Sequence, residues 1–152
     1  MIPVRKVNVL YHCPCPDGGF AALAAYLRFH REKSIELNFI PHQTFNKLNI
    51  DNHPAFTPQS ENYLLDYVGP SSFAIDLARK VKKVTIIDHH KTAFEMIDLC
   101  KAQNNIPDNL EVNLRLEKSG ATLAWDYFSA EQELVEDPEL KQSLLKVYSY
   151  IE

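Results

Sequence analysis

The sequence has few cysteines, no excess of basic residues and no long apolar run, and each absence excludes a class of protein. Three cysteines, two of them one residue apart in HCPCPD, do not make a disulfide framework, so a reducing compartment is favoured. Sixteen basic against 20 acidic residues, with a pI near 5.9, give no electrostatic reason for nonspecific binding to nucleic acid or anionic membranes. The apolar runs fall far short of the roughly 20 residues that span a bilayer, and MIPVRKVNVLYH lacks the apolar core of a secretory signal. We therefore expect a cytoplasmic protein without a membrane partner.

Length and patterning predict one α/β domain over residues 1–152. The chain is long enough for one well-formed core and too short for two ordinary domains. Five strand-like runs alternate with apolar residues at helical spacing, which predicts a three-layer αβα, Rossmann-like fold with a mostly parallel five-stranded sheet. The predicted strands are VRKVNVLY (4–11), IELNFIP (35–41), YLLDYVGP (63–70), VTII (84–87) and LEVNLRLE (110–117).

The segments between the strands carry further expectations. The Pro- and Gly-containing HCPCPDGG (12–19) is expected to be a loop that leads into a helix near Phe20. The polar segment 42–62 is expected to be irregular. Ser119 is placed to cap a helix over GATLAWDYFS. A last helix is expected to begin at Asp137 and Pro138, and its inward-facing residues are predicted to be Leu140, Leu144, Val147, Tyr148 and Ile151.

Polar residues follow three of the predicted strands at the point where each strand ends. Because parallel strands bring their carboxyl ends to one edge of a sheet, residues about seventy positions apart in the sequence are expected to meet there. These residues are His12 and Asp17 after the first strand, Asp66 at the end of the third, and Asp88, His89 and His90 after the fourth.

Imidazole and carboxylate groups together suit a borderline or hard divalent metal such as Mn²⁺. Several carboxylates can hold two such ions roughly 3.5–4 Å apart in a hydrolytic site. One ion then activates water, and the second stabilises charge on a phosphoryl oxygen. The chemistry that needs this assembly is hydrolysis of a phosphoester or phosphoanhydride.

Four segments in this order resemble those of the DHH phosphoesterases, which include RecJ-type exonucleases, nanoRNA and cyclic-dinucleotide phosphodiesterases and manganese-dependent inorganic pyrophosphatases. The segment IDHHKTA resembles the motif that gives the family its name, and the others precede and follow it. The resemblance covers about residues 4 to 130 and rests on YHCPCPDGGFAA, LLDYVGP, IDHHKTA and KSGATLAWDYF.

The resemblance implies metal ligands at specific positions. His12 and Asp66 would hold one metal, and Asp17, Asp66 and His89 the other, with Asp66 bridging. Asp88 would be a further ligand or a group that orients the histidines. The expected ion is Mn²⁺, with Mg²⁺ as an alternative.

The resemblance also implies a substrate side of the site. His90 would face the substrate phosphate and, with Asp88, is a predicted catalytic residue. Gly18 either allows a tight turn or lets a phosphate approach backbone N–H groups at a helix start. Ser119 either only caps its helix or also touches a phosphate, and Lys91 is an ordinary solvated charge unless the fold places it near the phosphate.

Two departures from the family pattern change the expectation. Cys15 occupies the position of an aspartate in the first motif, so the first metal loses a hard oxygen ligand. Reading Cys13 and Cys15 as zinc ligands is the alternative, although they lack the usual C-x₂₋₄-C spacing. The family's final aspartate and its glycine-rich second, substrate-binding domain are not visible, so we expect a truncated member or a fragment.

Three functions remain open at this stage. The first is a metal-dependent phosphoesterase acting on nucleotides or short oligonucleotides, or on another small phosphate. The second is a weak or inactive module that binds phosphate or nucleotide without turnover, because the ligand set is incomplete. The third is a structural domain whose polar strand ends coordinate nothing. The oligomeric state is left open by the sequence.

Overall fold

A computed structural model describes residues 3–43 and 48–152. The part of the predicted irregular segment at 44–47 lies outside the described residues. The elements in chain order are β1 (Arg5–His12), α1 (Pro16–Phe29), β2 (Ile35–His42), β3 (Glu61–Leu65), α2 (Phe73–Ala78), β4 (Lys83–Asp88), α3 (Lys91–Ala102), β5 (Leu110–Leu114), α4 (Gly120–Glu131) and α5 (Pro138–Ile151).

The strands form one five-stranded sheet in the order β2-β1-β3-β4-β5, and every neighbouring pair is parallel. The predicted α/β fold is therefore confirmed, and the sheet is wholly parallel. In the register of the central strands, Tyr11 pairs with Leu65 and Leu65 pairs with Ile87. The next residues along the chain are His12, Asp66 and Asp88. They therefore lie side by side at the carboxyl ends of three adjacent strands.

Helices cover both faces of the sheet, and side chains alternate between the two faces along each strand. On one face, Val7, Val9 and Leu65 pack against α1, α4 and α5. On the other, Leu10 and Leu64 pack against α2 and α3. The result is a three-layer αβα, Rossmann-like arrangement with a buried core on each side of the sheet.

The chain reverses its direction of travel across the sheet at β1. The first crossover leads from β1 outward to β2, and the chain then returns past β1 to β3 before it continues to β4 and β5. In open parallel sheets, ligands bind beyond the carboxyl ends of the strands at such a switch point. In this chain the switch point lies between the ends of β1 and β3.

The first helix begins earlier than expected. Residues 16–19 form the first turn of α1, so the prediction that they lie in a loop is wrong. A proline at the first helical position, here Pro16, has the right φ for a helix and no N–H to leave unpaired, which explains the early start. Gly18 is therefore a helical residue, and it is buried against the last residue of β1.

The last helix is less buried than its spacing predicts. It begins at Pro138 with Asp137 as its cap, as expected, and Tyr148 is buried with its hydroxyl donating to the Phe20 carbonyl. However, Leu140 and Val147 are exposed, so their predicted inward packing is wrong. α5 lies at the margin of the layer, where only part of its apolar face meets α1 and α4.

The described part of the 42–62 segment is irregular between the end of β2 and the start of β3, as expected. Leu48, Ile50 and Phe56 pack against the core that α2 and α3 cover. The segment thus adds apolar contacts to that core. Across residues 3–43 and 48–152, every helix is too short or too polar to cross a membrane.

The contact between α1 and the end of β1 predicts opposite effects for two adjacent glycines. A Cβ at Gly18 would lie 2.1 Å from the His12 carbonyl oxygen, whereas a Cβ at Gly19 meets nothing within 4 Å. We expect Gly18→Ala to destabilise the fold by about 1–3 kcal/mol or more. We expect Gly19→Ala to be neutral or to stabilise by about 0.5–1 kcal/mol, because alanine favours helix.

Urea unfolding of the two variants beside the wild type measures both effects. Equal midpoints for Gly18→Ala and the wild type would contradict the close packing of α1 on β1.

Candidate metal centre

The three central strands place polar side chains side by side at the carboxyl edge of the sheet. His12 is the last residue of β1, Asp66 directly follows β3, and Asp88 is the last residue of β4. His89 and His90 follow Asp88 and lead into α3. The predicted convergence of these residues is thus present in the fold.

Asp66 occupies an unusual backbone position and a buried side-chain position. Its φ is 53°, in the left-handed region that aspartate tolerates better than most residues, and its N–H donates to the Ile87 carbonyl at 2.9 Å. The predicted third strand ran over residues 63–70, but β3 ends at Leu65, because the backbone turns at Asp66. The side chain is 1% exposed, and neither carboxylate oxygen accepts a hydrogen bond of normal geometry.

Histidine nitrogens surround the Asp66 carboxylate. Nε2 of His89 lies 3.1 Å from Oδ1, and Nδ1 of His12 lies 3.4 Å from Oδ2. Nδ1 of His90 lies 3.6 Å from Oδ1. Buried carboxylates normally accept hydrogen bonds, so two unbonded oxygens facing ring nitrogens are the arrangement expected of metal ligands.

The charge around Asp66 is strongly negative. Burial, and after it the nearby carboxylates of Asp17 and Asp88, raise the pKa of Asp66 to about 7, although His90 and the Cys15 thiol act to lower it. A carboxylate that is destabilised by burial and by like charges binds a cation favourably. A cation bound near Asp66 would therefore stabilise the site.

Asp88 orients His90, the second of the two histidines that follow it. Its Oδ1 accepts the backbone N–H of His89 at 2.7 Å and that of His90 at 3.3 Å. The same oxygen lies 2.7 Å from Nδ1 of His90, which must be the donor because a carboxylate only accepts. This hydrogen bond is the main reason that the pKa of His90 is raised to about 9. Of the two expected roles of Asp88, its contacts match the orienting one.

Asp17 connects the site to the start of α4. Its Oδ2 accepts the N–H of Gly120 at 3.1 Å, its Oδ1 accepts that of Ala121, and its Oδ2 also lies 3.1 Å from Nε2 of His89. A carboxylate at a helix N-terminus is stabilised by the unpaired N–H groups and the helix dipole. The sequence carries no signal for this contact, because more than 100 positions separate the partners.

Gly120 allows α4 to approach Asp66. A Cβ at this position would lie 2.8 Å from Oδ1 of Asp66, so any side chain would displace the carboxylate. Ser119 caps the helix as predicted, since its hydroxyl accepts the N–H of Thr122 at 3.1 Å. The first residue of α4 therefore packs directly against the Asp66 side chain.

Two groups of side chains in the described ranges 3–43 and 48–152 bring metal-binding atoms within 4.8 Å of one another. One contains His12, Cys15 and Asp66, and the other contains Asp66, Asp88, His89 and His90. Asp66 is common to both, as a bridging carboxylate must be. Nitrogen, oxygen and sulfur donors around a buried, unbonded carboxylate fit a divalent metal ion.

A small cavity of about 130 Å³ opens beside these side chains. It is lined by His12, Asp66, Tyr67, Val68, Gly69, Asp88, His90 and Thr92. Tyr67 and Thr92 were not expected at the site; no chemical pattern in the sequence distinguishes them from core and helix-start residues. A larger depression of about 690 Å³ between β5 and α4 contains none of the metal-binding groups, and its charged side chains include the ion pairs Lys83–Glu111 and Lys118–Asp126.

The other predicted substrate-binding residues lie in different surroundings. Gly18 is buried against His12, and Ser119 is 5% exposed with its hydroxyl used in the cap. Lys91 is exposed, lies 3.8 Å from Glu95 and does not line the cavity. Phosphate binding by these three residues remains a prediction.

No family model matches the chain, and no solved structure matches it. The chain is 28% identical over 128 residues to a protein of Acanthamoeba polyphaga mimivirus that is described only as uncharacterised. The aligned region covers 79% of this chain and 28% of the viral protein, so the chain spans little more than a quarter of that relative. This similarity assigns neither a family nor an activity.

The raised pKa of Asp66 predicts that metal binding depends on pH. Below pH 7 the carboxyl is mostly protonated in the metal-free protein, because its pKa is about 7, and protons compete with the metal. We expect the affinity for Mn²⁺ to fall as the pH drops through this value, by up to about tenfold per pH unit. A smaller increase is expected towards pH 9, where His90 loses its positive charge.

Calorimetric titration with Mn²⁺ across this pH range measures the effect. Asp66→Asn should abolish binding, and Asp98→Asn, which removes an exposed carboxylate on α3, should leave the curve unchanged. A wild-type affinity that is constant between about pH 5 and pH 7 would contradict proton competition at Asp66.

Proposed function

We propose that this protein is a divalent-metal-dependent phosphoesterase of the DHH type, which hydrolyses a phosphodiester or phosphoanhydride bond. The observation that carries the proposal is the buried Asp66 carboxylate, whose two unbonded oxygens are shared by two groups of metal-binding side chains. The resemblance of four sequence segments to DHH phosphoesterases supports the same conclusion. Mn²⁺ is the proposed cofactor, and Mg²⁺ is the alternative.

The metal site follows from charge and from donor chemistry. Asp17, Asp66 and Asp88 converge, and such a concentration of negative charge in a largely buried place needs a compensating cation. When bound, a divalent metal supplies an activated water at neutral pH and neutralises charge on the phosphoryl oxygens. His12, Asp66 and His89 would hold it, with Asp17 and Asp88 beside them.

Asp88 and His90 are assigned the orientation and binding of the substrate phosphate. Asp88 fixes the ring of His90 through Nδ1, which directs the other ring nitrogen away from Asp88. His90 carries a positive charge near neutral pH, since its pKa is about 9, and it lines the cavity. We assign it the binding of the substrate phosphate and the stabilisation of its developing charge.

The volume of the cavity limits how much of a substrate it can enclose. Its volume of about 130 Å³ is well below the roughly 300–1,000 Å³ typical of pockets that enclose a whole small ligand. It therefore accommodates the phosphoryl group and leaves the rest of the substrate outside. A nucleotide or short oligonucleotide is the proposed substrate class, and a separate substrate-binding domain of the family type would select among them. Three unpaired cysteines fit the proposed cytoplasmic location.

Hydrolysis by the purified chain tests this proposal. With Mn²⁺ present, we expect release of mononucleotide from a short oligonucleotide or of phosphate from pyrophosphate. Asp66→Asn and His89→Ala should lower kcat/KM by about 100-fold or more, because each removes a metal-binding atom. The matched control Asp98→Asn changes an exposed aspartate on α3 and should retain wild-type activity.

The same experiment separates the alternative function. Saturable binding of Mn²⁺ and nucleotide without turnover would support a binding module, which the replacement of a hard ligand by Cys15 favours. If the chain binds neither Mn²⁺ nor nucleotide, both functional proposals are overturned, and the structural domain is the function that remains.

A further inference from the structure

Cys15 breaks a local rule at the start of α1. It occupies the N-cap position, where serine, threonine, aspartate and asparagine are preferred because their oxygens accept the free N–H groups of the helix. Its side chain makes no such cap hydrogen bond. A residue that is unfavourable for local structure often has a functional reason, and here the reason lies in the residues that the side chain faces.

The sulfur of Cys15 belongs to the group that includes His12 and Asp66, with donor atoms within 4.8 Å of one another. The Asp66 side chain is buried, and its two oxygens accept no hydrogen bond of normal geometry. Cys13, two residues earlier, is half-buried and belongs to neither metal-binding group. The placement is therefore specific to one of two neighbouring cysteines.

The donor set of this group differs from that of its neighbour. His12, Cys15 and Asp66 offer nitrogen, sulfur and oxygen, whereas the group of Asp66, Asp88, His89 and His90 offers nitrogen and oxygen alone. Sulfur and imidazole favour borderline cations such as Zn²⁺ and Co²⁺ over Mn²⁺ and Mg²⁺. Three protein donors also leave a fourth tetrahedral position open, as in catalytic zinc sites.

We propose that His12, Cys15 and Asp66 form a zinc-selective site, so that the two metal positions around Asp66 prefer different ions. The sequence alone led us to expect that Cys15 weakens the first metal position, since it replaces an oxygen ligand. The structure instead places the thiol among the donors, and it changes which metal is held. This inference deepens the proposed function and rests on it for the presence of a metal at Asp66.

Cobalt titration of the whole chain tests the role of the sulfur. Co²⁺ replaces Zn²⁺ in such sites, and a bound thiolate gives a sulfur-to-cobalt charge-transfer band in the near ultraviolet. We expect this band in the wild type and in Cys13→Ser, and we expect it to be absent in Cys15→Ser. No band in the wild type, a band that persists in Cys15→Ser, or a band lost in Cys13→Ser would overturn the proposal.

Competition between metals tests the selectivity. In Cys15→Asp, we expect the preference for Zn²⁺ over Mn²⁺ to fall by about 10–100-fold or more, because an oxygen replaces the sulfur. An unchanged preference would overturn the proposal. Serine and aspartate are favourable N-cap residues, so both variants should fold, which far-ultraviolet circular dichroism and melting temperature verify.

The outcomes distinguish this inference from the proposed phosphoesterase activity. A cobalt–sulfur band that depends on Cys15, without hydrolysis of any phosphate ester, would support the zinc site and contradict the enzyme. Metal-dependent hydrolysis with the same metal preference in the wild type and Cys15→Asp would support the enzyme and contradict the zinc site.

Discussion

The burial of the Asp66 carboxylate, with no hydrogen bond of normal geometry to either oxygen, is the constraint on which the rest of the site depends. Removing a charged carboxylate from water costs several kcal/mol unless a partner compensates it, and the nearby carboxylates of Asp17 and Asp88 add like charge. The side chain cannot turn away, because Gly120 brings α4 against it. The fold thus holds an acidic group in a position that a cation stabilises.

The same packing ties the site to the stability of the domain. The Asp17 carboxylate accepts two N–H groups at the start of α4, which is more than 100 positions away in the sequence. The same carboxylate also contacts His89. Gly18, one residue later, allows α1 to lie directly on the end of β1. Because these contacts use backbone groups of the fold, the candidate metal ligands lie at the ends of strands and helices that are packed together.

Several features of the fold follow from local pattern, and several do not. Alternating apolar strands and helices predict the parallel sheet, and parallel strands predict that His12, Asp66 and Asp88 end at one edge. The early start of α1 was missed because two glycines suggest a loop, although Pro16 at the first helical position outweighs them. The exposure of Leu140 and Val147 was missed because helical spacing identifies an apolar face but not how much of it a neighbour covers.

The sequence by itself determined the order of elements, the mostly apolar strands and the presence of acids and histidines at strand ends. These properties are encoded in residues a few positions apart, which is the range over which periodicity and turn chemistry act. Only the tertiary structure decided that the carboxylate oxygens of Asp66 accept no hydrogen bond of normal geometry, that Asp17 binds the start of α4, and that Cys15 lies near His12 and Asp66. Those facts depend on how closely helices pack on the sheet, and that distance is set by contacts between residues up to about a hundred positions apart.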